Sequence, residues 1–266
     1  MRGLVLALTL VALVAAGCGG EDDDGDLTAP RATAPSEGRK AAAPVAAPAP
    51  QQMRCEAGAS RSYTGRGVAA VLLRPTVAFR SPGKLAVASF EKLNVNGVPT
   101  TFRVLEARLG ADCRPSWYRV QLPIRPNGTE GWVHAKTVRR YAVDFRIVVD
   151  LSDRRITVYR DGDVLVRTRT AIGRPETPTP TGSFYVNQRL FAADPTGPWG
   201  PGGIGISAFS PTLANWPQGG PIAIHGTNRP ESIGQVTSNG CLRIDNVVLK
   251  RLIHTVPEGT PVRIRA

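Results

Sequence analysis

Only one stretch of this chain repeats its apolar residues with a helical period, and it is short. In "DNVVLKRLIHTV", Asp245 to Val256, the residues Val248, Leu249, Leu252 and Ile253 form a stripe at i, i+3 and i+4 spacing, with Asp245 placed to cap the first turn. The rest of the folded sequence keeps period two or breaks at turns. In "RITVYRDGDVLVRTR", Ile156 and Val158 alternate with Thr157 and Tyr159, and Val164 and Val166 alternate with polar neighbours. Asp161-Gly162 between them is a tight-turn pair, so this is a hairpin. A chain patterned this way folds as mainly β, with one or few short helices.

Two β regions are expected. Across 53–143 the runs "VAAVLL", "LAVASF", "TFRVLEARL", "SWYRVQLPI" and "EGWVHAKTV" read as short strands, with Asn127-Gly128 as a turn signal between the last two. Across 144–266 the hairpin is joined by "GSFYVN", "PIAIHG" and "GTPVRIRA". The intervening Phe191 to Gly220 is rich in Gly and Pro and carries Trp199 and Trp216, which reads as a long irregular binding segment or lid.

The first 52 residues are of another kind. Arg2 and the apolar run Leu4 to Ala16, followed by small residues and Cys18, have the layout of an export signal over residues 1–18. "VAAGC" resembles a bacterial lipobox, with Cys18 the lipidated residue; an ordinary signal peptide or a retained anchor is the alternative. Residues 19–52 are Ala, Pro, Gly and acids with almost no large apolar side chains, and such a segment reads as a flexible tether. The mature protein is expected outside the cytoplasm.

Charge is unevenly spread: a net of −2 over residues 1–52, +10 over 53–143 and +4 over 144–266. The basic middle region implies either an anionic partner or an evenly solvated basic surface. For an exported protein that partner is a wall polymer or lipid headgroup, not nucleic acid. An exported compartment permits a disulfide between Cys55 and Cys113, which sequence alone does not establish. No Cys/His cluster has metal-ligand spacing and no phosphate-cradling loop occurs, so neither metal nor cofactor is expected.

Cys241 is left without a partner. It sits in "TSNGCLRID", sixteen residues after His225, which ends "PIAIH". A thiol becomes a nucleophile when a neighbouring base takes its proton, and histidine is the usual base. Gly240 would let its own N–H and that of Cys241 face a developing oxyanion. For those two residues alone, a buried inert cysteine with a structural histidine is the more frequent explanation.

The flanking residues favour chemistry. His225-Gly226-Thr227, the sixteen-residue interval and Ser238-Asn239-Gly240-Cys241-Leu242-Arg243 closely resemble the signature of the L,D-transpeptidase catalytic domain (YkuD) family, and "TPTPTGSFYV", Thr177 to Val186, resembles a further family block. "WYRVQLP…RPNG…GWV", within Trp117 to Val133, resembles a bacterial SH3-like domain. These resemblances imply a small SH3-like β-barrel over 53–143 followed by a YkuD-like β-sandwich over 144–266. They also imply an enzyme that cross-links peptidoglycan through a cysteine thioester, releasing D-Ala from a donor tetrapeptide stem. Cys241 would be the nucleophile, His225 the base, Gly226 the carbonyl that fixes the imidazole, Gly240 an oxyanion donor and Ser238 a supporting hydroxyl. Arg243, Thr227 and Asn239 would face substrate; Arg243 either anchors a stem carboxylate or holds its loop. Hydrolysis of the same acyl-enzyme, as an L,D-carboxypeptidase, and a purely wall-binding role are the rival readings. With the two β regions read as independent, residues 144–266 alone are expected to turn over small stems as well as the longer chain.

Overall fold

The computed structural model describes residues 55, 56, 58–63 and 67–266. The export signal, Cys18 and the tether lie outside them. The described chain forms two large sheets. The first is antiparallel, in the order Lys84–Phe90, Thr76–Ser81, Glu130–His134, Pro115–Gln121, Thr101–Leu109, Gly67–Leu72, Val138–Val143, with Ser60–Ser62 paired on Thr101–Leu109. Its core is built on Phe102, Val104, Tyr118, Val120, Leu122 and Val133. Cys55 and Cys113 are bonded, joining the start of the described chain to the turn after Thr101–Leu109.

The second sheet is mixed, in the order Asp163–Arg169, Arg155–Arg160, Phe145–Asp150, Pro261–Arg265, Gly182–Phe191, Gly202–Phe209, Pro221–His225, Leu242–Arg243. Two of its pairings are parallel: Pro261–Arg265 on Phe145–Asp150 and Leu242–Arg243 on Pro221–His225. The expected hairpin is present, with Arg160 opposite Asp163 and both Asp161 and Gly162 at positive φ (51° and 98°). The single α-helix among the described residues is Asn246–Thr255. The Asp245 carboxylate accepts from the N–H groups of Val247 (2.9 Å) and Val248 (3.2 Å), and Leu249, Leu252 and Ile253 are buried against the second core.

One sequence expectation fails here. Phe191 to Gly220 is not irregular throughout: Gly202–Phe209 within it is a strand inside the sheet, paired on both sides and buried along most of its length. Its period-two pattern is masked because Gly203 and Gly205 stand where polar residues would mark one face, while Ile204 and Ile206 fill the core from the other. A Cβ on Gly205 would sit 2.6 Å from Gln188 Cγ, and one on Gly203 would sit 3.2 Å from the Trp199 ring. Bare backbone on that face leaves room for a cleft.

The two sheets are not independent. They cluster as one compact unit, joined by side chains. Gln121 Nε2 donates to Ser183 O (2.8 Å) and Tyr141 Oη to Glu258 O (3.1 Å). Asn127 both accepts from Phe209 N–H and donates to Phe209 O, each at 2.9 Å. Arg125 reaches Ser210 O (2.5 Å) and Gly219 O (2.8 Å). Asn96 pairs with Gln188 and Gln218. Several of these contacts fall on residues 209–219, one wall of the site below.

Candidate active site

Strand Pro221–His225 ends the run of sheet hydrogen bonds at His225, which lies opposite Gly203 on one side and Arg243 on the other. The imidazole is 6% exposed. Its Nδ1 lies 2.6 Å from Gly226 O. A carbonyl oxygen only accepts, so Nδ1 carries the proton and Nε2 keeps its lone pair free to take one. The Trp199 indole covers the ring with centroids 4.3 Å apart, occupying the space that the absent Gly203 side chain leaves. Burial lowers the His225 pKa to about 4; the Gly226 carbonyl raises it and the Arg243 charge lowers it further.

Cys241 follows a turn whose shape is set by three hydroxyls. Ser238 Oγ donates to Cys241 O (2.6 Å) and accepts from Gly240 N–H (3.1 Å). Thr179 Oγ1 donates to Gly240 O (2.8 Å) and accepts from Gly173 N–H (2.9 Å), while Thr177 Oγ1 donates to Ser238 O (3.2 Å). The second sequence block, Thr177 to Val186, therefore braces the cysteine turn. Gly240 is required at φ +107°, and a Cβ there would meet Ile222 Cδ1 at 2.9 Å. The Gly240 N–H, expected to face an oxyanion, here donates to Ser238 Oγ, and the glycine sets the turn's shape.

The Cys241 thiol lines a cleft of about 600 Å³ with Trp199, Gly203, Gly205, Trp216 and Gln218, within the range of small-ligand sites. Its Sγ is 4.0 Å from Pro221 O. Burial pushes the thiol pKa up, against the Ala223 N–H and the Arg243 charge, which draw it down. With the imidazole's pKa lowered and the thiol's raised, both groups are neutral at rest near pH 7.

Arg243 is partly buried beside both groups, and its Nε is a buried donor without a partner. Thr227 and Asn239 do not enter the cleft. Thr227 is 4% exposed, its hydroxyl accepts from Arg229 N–H (3.0 Å), and its backbone is clamped by Asn246, which accepts from Thr227 N–H (2.8 Å) and donates to Thr227 O (2.9 Å). Asn239 Oδ1 accepts from Arg174 at 2.5 Å. Both side chains are held by neighbouring groups of the protein. Sequence reasoning named Trp199 only as part of a binding segment and missed Thr177, Thr179 and Asn246 as individual residues; for the two threonines the Thr-Pro repeat gave a signal.

The site thus holds a free thiol opening on a cleft and, at the end of the neighbouring strand, a buried histidine whose Nδ1 is committed to a carbonyl. Residues 144–264 match the L,D-transpeptidase catalytic domain (YkuD) family. The chain is similar to the putative L,D-transpeptidase YkuD of Bacillus subtilis, 35% identical over 124 residues that cover 47% of this chain and 68% of that protein. It is also similar to the putative L,D-transpeptidase YqjB of the same organism, 31% identical over 128 residues covering 44% and 69%. Among solved structures, an L,D-transpeptidase from Enterococcus faecium aligns at 28% identity with a TM-score of 0.35, covering 46% of this chain and 50% of that one. The chain belongs to the YkuD family of L,D-transpeptidase catalytic domains, and the enzyme class it carries is that of an L,D-transpeptidase.

Proposed function

We propose that the protein cross-links peptidoglycan outside the cytoplasm, held at the membrane by a lipid on Cys18, and that the reaction runs through a thioester on Cys241. The observation that carries the reading is the His225 tautomer: Nδ1–H is committed to the Gly226 carbonyl, leaving Nε2 as a base in a chain whose free thiol opens on the cleft.

As the Cys241 sulfur forms a bond to the carbonyl carbon of the diamino residue in the donor stem, its proton passes to His225 Nε2. Because both groups start neutral, transfer and attack occur together. The carbonyl oxygen becomes an oxyanion, taken up by the Cys241 N–H in place of the spent Gly240 donor. The tetrahedral carbon expels the amine of D-Ala, which takes the proton from Nε2, and a thioester remains. A side-chain amine of a second stem then gives a proton to Nε2, forms the new amide bond and releases the sulfur, which regains that proton. The unpartnered Arg243 Nε suits an anionic stem carboxylate or a carbonyl drawn into the site.

The first sheet is read as an SH3-like domain that keeps the enzyme on anionic wall polymer. Exposed Arg74, Arg80, Arg108, Arg139 and Arg140 support this, on a region whose net charge is +10. The test of the reaction is D-Ala release from a tetrapeptide stem by wild type and by Cys241→Ala. The substituted protein should release none above background, and sustained release by it would remove the thiol from the chemistry.

A further inference from the structure

The cleft does not end at its own walls. A second cavity, of about 770 Å³, lies between the two sheets, and the two cavities share Asn96, Gln188, Gln218 and Pro221. Pro221 is also the residue whose carbonyl lies 4.0 Å from Cys241 Sγ. The second cavity is a trough that borders the cleft at these four residues and runs outward over the first sheet. Its outer lining includes Leu93, Val95, Ile124 and Phe209. Leu93 and Val95 are 50% and 83% exposed, large apolar side chains two positions apart on one segment.

The junction is built of amides. Asn96 Nδ2 donates to Gln188 Oε1 (2.9 Å), Gln218 Nε2 donates to Asn96 Oδ1 (3.0 Å), and Asn94 Nδ2 donates to Gln188 Oε1 (2.9 Å). Gln218 holds a left-handed backbone (φ 57°) that non-glycine residues seldom adopt, so its place at the junction is fixed against a conformational cost. Uncharged groups that both donate and accept, flanked by apolar surface, match a peptide chain with its own N–H, C=O and short apolar side chains.

We infer that this trough is the site of the second peptide stem, the one whose amine attacks the thioester. The inference rests on the reaction proposed above. With the donor acyl group filling the cleft, the amine must arrive from a neighbouring space, and the trough adjoins the cleft at Pro221, whose carbonyl lies 4.0 Å from the sulfur. The N-terminal sheet then supplies half of the acceptor site and decides the fate of the acyl group. An acceptor stem in the trough places its amine at the thioester carbonyl: the C–N bond forms, the C–S bond breaks, and the amine proton passes to His225 Nε2 and on to the sulfur. With the trough blocked, water takes the amine's place and the product is a shortened stem.

The test is a Val95→Trp variant of the full chain, which crowds the trough from an exposed position, with Leu85→Trp, also exposed (72% against 83%) but outside both cavities, as control. Donor and acceptor stems are supplied together, and acyl-enzyme, cross-linked dimer and hydrolysed stem are followed by mass spectrometry. The expected result for Val95→Trp is an unchanged rate of acylation with the ratio of cross-link to hydrolysis down by about tenfold, the scale on which lost positioning shows. Leu85→Trp should match wild type. An unchanged ratio in Val95→Trp, or an equal fall in acylation, overturns the trough as an acceptor site. Absence of any acyl-enzyme in wild type would instead sink the reaction on which it rests.

Discussion

Trp199 shields His225, and the consequence is measurable. Replacing the indole with alanine lets water reach the imidazole, so the charged form is penalised less and the pKa rises from about 4 toward 6.5. The acidic limb of kcat/KM for acylation should move up with it in Trp199→Ala, read against NMR titration of the same ring. A limb that stays put means that the indole does not set the basicity. The same shift links to stability. The folded pKa lies below the unfolded one, so the unfolded chain binds more protons between about pH 4 and 6.5. The contribution is fully present above pH 6.5 and is lost as pH falls to about 4, amounting to about 3 kcal/mol at 1.36 kcal/mol per unit. Denaturant midpoints of wild type should fall across that window, and less so in a His225→Gln variant. Ser238→Ala leaves the Gly240 N–H and the Cys241 carbonyl without their shared partner, at about 1–3 kcal/mol for each buried group. Acylation should slow in this variant and recover in part in Ser238→Thr.

At the scale of elements, the clearest prediction concerns the wall formed by residues 209–219. Arg125 and Asn127, from the first sheet, grip its backbone at Phe209, Ser210 and Gly219. Arg125→Ala should loosen that wall and raise KM for the donor stem by severalfold, up to about tenfold, with a smaller change in kcat, since the lost contact orders a binding surface and not the reacting atoms. A kcat loss with KM unchanged would contradict this. How far each element was legible follows from how local its cause is. The Asp161-Gly162 hairpin and the Asp245-capped helix are set by neighbours in sequence, and the pattern alone reveals them. Strand Gly202–Phe209 was hidden because glycine on its cleft face removes the polar half of the alternation. The His225-to-Arg243 block was legible as a motif. What braces it was not, because Asn127 and Phe209 are 82 residues apart and Thr179 and Gly240 are 61 apart, and no local pattern encodes a side chain's distant partner.

At the scale of the whole molecule, the contacts between sheets change the expectation for a shortened chain. Residues 144–266 alone lose Arg125, Asn127 and Asn96 from the cleft wall and trough, so they should turn over even small soluble stems more slowly than the full chain. Equal rates would restore the independence that the sequence suggested. Attachment to wall polymer through the basic sheet should weaken as the Debye length falls from roughly 10 Å at 0.1 M salt to about 3 Å at 1 M. The full chain is thus predicted to pellet with sacculi at low salt and wash off at high salt, and to do so less when Arg74, Arg80 and Arg139 are changed to Glu; retention at 1 M salt would rule out a charge-driven hold. The reaction itself depends on one covalent species. Intact-mass analysis of the full chain during turnover of a tetrapeptide stem should find the protein heavier by the tripeptide acyl group left when D-Ala departs, with the added mass on the peptide containing Cys241 and absent from Cys241→Ala. Turnover of that stem with no adduct on Cys241 would contradict the account.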